Sequence, residues 1–141
     1  TRLTYFQSAS LTCDLQDSWG HSLVSIDTTS TFRIFLQNPN GISPSSTNYS
    51  LLQDLHTSKK YGAAVISLPE TNLNWEAEGT IGHLHRMLRQ TWQHSSIYYS
   101  RAKEEFISSY QPGGTATIIC DNWTSRVLGR GEDPHGLGRW S

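Results

Sequence analysis

Ala63-Ala-Val-Ile-Ser-Leu68 is an almost unbroken apolar run, and Pro69 and Glu70 follow it at once. Apolarity without alternation predicts a strand buried on both faces. Upstream, Gly62 stands where a left-handed helix C-cap belongs. Leu51, Leu52 and Leu55 give residues 48–61 an apolar stripe behind a capping Asn48. Before that helix, Thr31-Phe-Arg-Ile-Phe-Leu-Gln37 is rich in β formers and predicts another strand. Asn38-Pro-Asn-Gly41 stops it, because Pro39 cannot continue a ladder and Asn40-Gly41 favours a turn. Strand, helix, strand at this spacing predicts a βαβ-like unit, or its equivalent in a mixed sheet, and so an α/β fold class.

Downstream, Ile81, Leu84, Leu88 and Trp92 fall on one face of a helix expected over residues 80–93. A short strand is expected at Ile97–Tyr99, a turn at Tyr110–Gly114 and a strand at Thr115–Cys120. Residues 121–138 read as a loop with one helical or irregular turn, since their glycines and Pro134 oppose long elements. Arg139-Trp-Ser141 reads as the start of a further strand. Residues 1–31, rich in Ser, Thr and Asp without a period, read as a linker or poorly ordered arm, with a short hairpin near Ser18–His21.

Composition narrows the function classes. Charged residues are 16% and the net charge is -1, so no global basic field argues for nucleic acid, although a local basic groove remains open. Hydrophobic residues at 35% are few for a self-contained domain, while five Trp and six Tyr supply bulky core material. Cys13 and Cys120 make no disulfide scaffold. Cys120 ends an apolar run and reads as a small buried hydrophobe. No stretch is long and apolar enough for a membrane span. A chain that opens on Thr1 without a leader segment is expected to be a piece of something longer at both ends.

The chemistry-bearing residues sit where strands end. Asn38 and Asn40 follow the first strand, and Glu70 follows the apolar one. Parallel neighbours would bring them into one oxygen-rich crevice. Such a crevice suits Mg²⁺, which takes hard oxygen ligands, keeps several waters and often uses only one or two protein carboxylates beside a substrate phosphate. On spacing alone, Asn38 and Asn40 read equally as turn formers and Glu70 as a solvated loop carboxylate.

Four stretches go further. Phe35-Leu-Gln-Asn-Pro-Asn-Gly-Ile42, Ile66-Ser-Leu-Pro-Glu-Thr-Asn-Leu73, Pro112-Gly-Gly-Thr-Ala-Thr-Ile118 and Gly138-Arg-Trp140 occur in this order. Together they resemble the opening motifs of the endonuclease/exonuclease/phosphatase superfamily, the DNase I-like enzymes. The Glu-Thr-Asn-Leu-Asn-Trp75 and Tyr-Gln-Pro-Gly-Gly114 wording is most similar to the retrotransposon-type endonuclease branch. The resemblance covers residues 32–141 and implies the N-terminal half of a four-layer α/β/β/α sandwich. It implies that Glu70 binds the metal, Mg²⁺ or Mn²⁺, and that Asn38 organises the active site beside it. Asn40 would help hold the metal or its water shell. Gly113-Gly114 would enter a central strand, and Arg139 would be a basic position at the next one. Pro69 departs from the pattern, where many members carry a polar residue.

The larger departure is the set of later motifs. The family places a Tyr, an Asp-x-Asn pair, a second Asp and a catalytic His beyond the point where this sequence stops. The resemblance therefore implies a fragment of a metal-dependent phosphodiesterase, a hydrolase acting on nucleic acid, DNA above all. It would be idle until the remaining half of the domain is supplied. Two alternatives stay open: a non-catalytic relic or interaction module of the same fold, and a small-molecule or lipid phosphatase.

The six His do not replace the missing groups. His83 and His85 are two apart on a helix and diverge, and the others lack metal-ligand spacing. Arg126, Arg130 and Arg139, interleaved with Trp123 and Trp140, read as a nucleic-acid-binding rim or, equally, as solvated Arg on a Trp-anchored loop. Lys59-Lys60 reads as a solvated pair favoured by the helix dipole.

Overall fold

The computed structural model describes residues 31–43, 49–101, 111–136 and 138–141. The arm and hairpin expected before residue 31, with Cys13, and the expected Asn48 cap lie outside these residues. The described elements run β1 (Ile34–Leu36), α1 (Tyr49–Lys60), β2 (Val65–Pro69), α2 (Thr80–Thr91), β3 (Ser95–Ser100), β4 (Thr115–Cys120) and a short 3-10 helix, Asp121–Arg126. The strands form one mixed sheet in the order β1-β2-β4-β3. β1 and β2 are parallel and joined through α1, so the expected βαβ unit is present. β4 runs antiparallel to both β2 and β3.

Gly62 closes α1 as the sequence predicts. Its N–H donates to the Lys59 carbonyl at 2.9 Å, and Ala63 N–H reaches back to Ser58 at 3.0 Å. This is the paired-bond ending that satisfies carbonyls a helix would otherwise strand. α2 ends two residues earlier than expected. Trp92 turns extended there, keeps its N–H on the Leu88 carbonyl, and buries its indole in the core.

Strand register explains which residues the helices cover. Phe35, Ile66, Ile118 and Ile97 lie in one row across the sheet, and Leu68, Ala116 and Tyr99 in the next. These rows pack with Leu51 and Leu55 of α1 and with Leu84, Met87 and Leu88 of α2. Each fully buried Leu or Ile stabilises by about 1.5–3 kcal/mol. Cys120 ends β4 in this core as a free thiol. Burial, and then the adjacent Asp121 carboxylate, push it up to about 12, so it packs as a hydrophobe.

No helix or strand among the described residues covers the opposite face of the sheet, onto which Ser141 is tied by Thr115 and Thr117. Burial in β2 therefore alternates: Ile66 and Leu68 are buried, while Val65, Ser67 and Pro69 are half-buried. The expectation of burial on both faces is corrected to one. Phe32, Ile34 and Leu36 stand 51%, 63% and 75% exposed on this side. Arg139–Ser141 is not a strand either. Its backbone is claimed by side chains, Thr117 Oγ1 donating to the Ser141 carbonyl at 3.1 Å.

Candidate functional site

Sheet direction gathers the candidate residues at one end. β1, β2 and β3 finish there and β4 begins there. Backbone bonds then stitch the loops together. Gly41 N–H donates to the Glu70 carbonyl and Ile42 N–H to the Thr71 carbonyl, both at 2.8 Å. On the other side, Thr71 N–H donates to Gly114 at 3.0 Å and Asn72 N–H to Gly113 at 2.7 Å. The Asn-Pro-Asn-Gly turn, the Glu-Thr-Asn segment and the Pro-Gly-Gly turn thus form three adjacent layers. Three of the four stretches on which the family resemblance rests meet here.

Tight turning at this end shows in the backbone. Asn40, Glu70 and Asn72 have positive φ, as do Gly41, Gly113 and Gly114. Asn tolerates the left-handed region because its short amide bonds locally; Glu has no such compensation, and the conformation costs an L residue about 1–2 kcal/mol. Gly114 has a second constraint. A Cβ there would lie 2.8 Å from Thr71 Oγ1 and 3.3 Å from the Ser100 carbonyl oxygen, so only glycine lets the strands close. Behind the loops, Trp75 stacks on Tyr99 with ring centroids 4.6 Å apart. Glu76 pairs with Arg101 across the same end.

Each candidate has a definite place. The Asn38 side-chain oxygen accepts from Asn40 N–H at 2.9 Å, which shapes the turn from within. Asn40 and Glu70 are exposed, side by side through the Gly41 clamp. The three Arg candidates are spread along the sheet rather than gathered at one point. Arg126 closes the 3-10 helix at the far end of β4. Arg130 lines a cleft of about 320 Å³ beside β3 with Tyr98, Tyr99 and Glu132. Arg139 lies on the returning segment that Ser141 ties to Thr115 and Thr117, at the start of β4.

Asp133 holds Arg139 in place. Its carboxylate is sealed by its own loop and accepts from His135 N–H at 3.0 Å and from Arg139 Nε at 3.2 Å. Burial alone would raise its pKa. The bonds from His135 and Arg139, with the Arg139 charge, outweigh burial and hold it below 3.8.

Three contributors escape sequence reasoning. Asn72 Oδ1 accepts from Gly113 N–H at 2.8 Å, which locks the Pro-Gly-Gly turn. Thr71 is fully buried beneath Gly114, and Trp75 backs the loops. Asn72 carried a usable signal, since Asn is favoured at left-handed positions. Thr71 and Trp75 act through strands distant in sequence.

The donor set at this end is a carboxylate and amide oxygens, which fits a hard divalent ion that keeps most of its waters. Among the described residues no three His, Cys, Asp or Glu side chains converge on one point. None of their helices is long and apolar enough to cross a membrane. Family models, curated proteins and solved structures yield no match to the chain.

Proposed function

We propose that this chain is the first half of a DNase I-like domain whose parent cleaves phosphodiester bonds in nucleic acid with Mg²⁺ or Mn²⁺, and that it is idle without the second half. One observation carries the reading. Glu70 is held in a left-handed backbone, clamped through its carbonyl by Gly41, with its carboxylate exposed beside Asn40. A chain seldom places Glu in such a conformation for stability, and retained strain is characteristic of sites with a task.

The exposed apolar edge at β1 supports the four-layer reading. A sheet with helices on one side and Ile34 and Leu36 open on the other, beside half-buried Val65 and Ile119, leaves apolar surface for a second sheet to cover, although Ser67, Thr115 and Thr117 share that face. Glu70 and Asn40 would hold the ion, and Asn38 would keep their turn in shape. The ion, when bound, supplies positive charge to a phosphate and lowers the pKa of its water. Arg139, oriented by Asp133, would offer its outer guanidinium nitrogens to a backbone phosphate.

The test is plasmid nicking by the parent protein, carried past Ser141, in Mg²⁺. Nicking is expected to fall about a hundredfold or more in Glu70→Gln and to vanish in EDTA. Nicking that survives Glu70→Gln removes Glu70 from the site.

A further inference from the structure

We infer that the end of the sheet opposite Glu70 is a binding site for single-stranded nucleic acid, formed by Phe32, Trp123 and Arg126, with Lys60 and Tyr61 at the same end. This inference concerns binding without metal and does not depend on the role proposed for Glu70.

Charge separates the two ends. Glu70, Glu76 and Glu78 lie in the loops at the first end, where Glu76 pairs with Arg101 and Arg139 is held by Asp133. At the second end α1 finishes on Lys59 and Lys60, α2 carries Arg89 in its last turn, and the 3-10 helix finishes on Arg126. Arg33 enters β1 there. Asp121 is the one carboxylate among the described residues of this end. A net charge of -1 for the whole chain conceals this segregation.

Helix dipoles account for part of the pattern. Lys59 donates to the Thr91 carbonyl and thereby caps α2, so its charge is already engaged. The dipole does not account for Arg126, which ends a six-residue 3-10 helix with no buried side chain. Nor does it explain the rings. Arg126 lies over the Trp123 indole at 4.5 Å, and Lys60 lies 5.8 Å from the Tyr61 ring centroid. Phe32 meets Trp123 edge-on at 4.7 Å and leaves half of its surface in solvent.

Exposed cations propped on aromatic rings, beside a further open ring, are the two components of single-strand binding. The cations follow the phosphates, and bases stack on the ring of Phe32 or on the guanidinium plane of Arg126. Duplex recognition would need a helix or ribbon to enter a groove, whereas Arg126 and Trp123 stand on a 3-10 helix of six residues. β4 separates this site from Glu70 by roughly 17 Å, at about 3.3 Å per residue. A strand bound here is therefore held apart from the Glu70 loops.

The test is titration of the full chain with a fluorescein-labelled ten-nucleotide dT oligomer in EDTA. Binding is expected, with quenched Trp emission and affinity that falls as salt rises. Phe32→Ser combined with Arg126→Gln is expected to weaken binding about tenfold or more. Arg86→Gln removes the same charge from an exposed position on α2 and is expected to change it less than about twofold. The thermal melt of each variant checks that folding is unaltered. Equal binding by the double variant overturns the inference. So does tighter binding of a blunt duplex, or full competition by phosphatidylserine vesicles, which would assign the site to a membrane surface.

Discussion

The two ends of the sheet are built from different materials. The Glu70 end is backbone laced to backbone: Gly41 to Glu70, Ile42 to Thr71, and Thr71 and Asn72 to the Gly113-Gly114 turn. The Trp123 end is side chains resting on side chains, with ring on ring and cation on ring. Backbone lacing needs unusual φ angles, and six positive-φ residues gather at the first end. The second end has two, Gly62 and Asp121. The first end should therefore be costly to alter and rigid, and the second tolerant and adaptable.

The largest test of that contrast is Gly114→Ala. The added Cβ clashes with Thr71 and occupies a left-handed position, so the urea midpoint should fall by the equivalent of about 3 kcal/mol. Arg126→Gln at the other end should change stability by less than about 0.5 kcal/mol. Equal effects would erase the distinction. Asn72→Ala comes next. It removes the acceptor of Gly113 N–H and leaves a left-handed Ala, for a loss of about 2 kcal/mol in the same measurement.

Glu70→Gly should act in the opposite direction. Relief of the left-handed strain should raise stability by up to about 1 kcal/mol while removing the carboxylate. A loss of stability instead would mean that Glu70 serves the fold, and would weaken its assignment to a metal. The smallest effect concerns Asp133, on the segment that runs between the two ends. Its folded pKa lies below the ordinary 3.8, so its contribution is present above pH 3.8 and is lost as pH falls through the lower folded value. The His135 and Arg139 amide resonances should titrate with a midpoint below 3.8, and Asp133→Asn should abolish that step.

Much of this fold is legible in local pattern. The apolar run at 63–68 marks β2, the stripe Ile81, Leu84 and Leu88 marks α2, and Gly62 marks the end of α1. Each of these is decided by neighbours in the chain. The site was half legible. Asn38, Asn40 and Glu70 stand out as polar residues at strand ends, and parallel β1 and β2 do bring their loops together. Arg126 also stands out, but nothing local says that β4 carries it to the far end of the sheet.

By itself, the sequence determined the elements, their order and the polar residues that end them, because propensity, caps and periodicity act over a few residues. Tertiary structure alone decided the rest. It gave β2 one covered face, turned Arg139–Ser141 into a tether held by Thr115 and Thr117, and set Glu70, Glu76 and Glu78 at one end of the described sheet and Lys60 and Arg126 at the other. The physical reason is common to all three. They depend on which distant segments share an edge, a face or a hydrogen bond, and strand direction in the assembled sheet sets that.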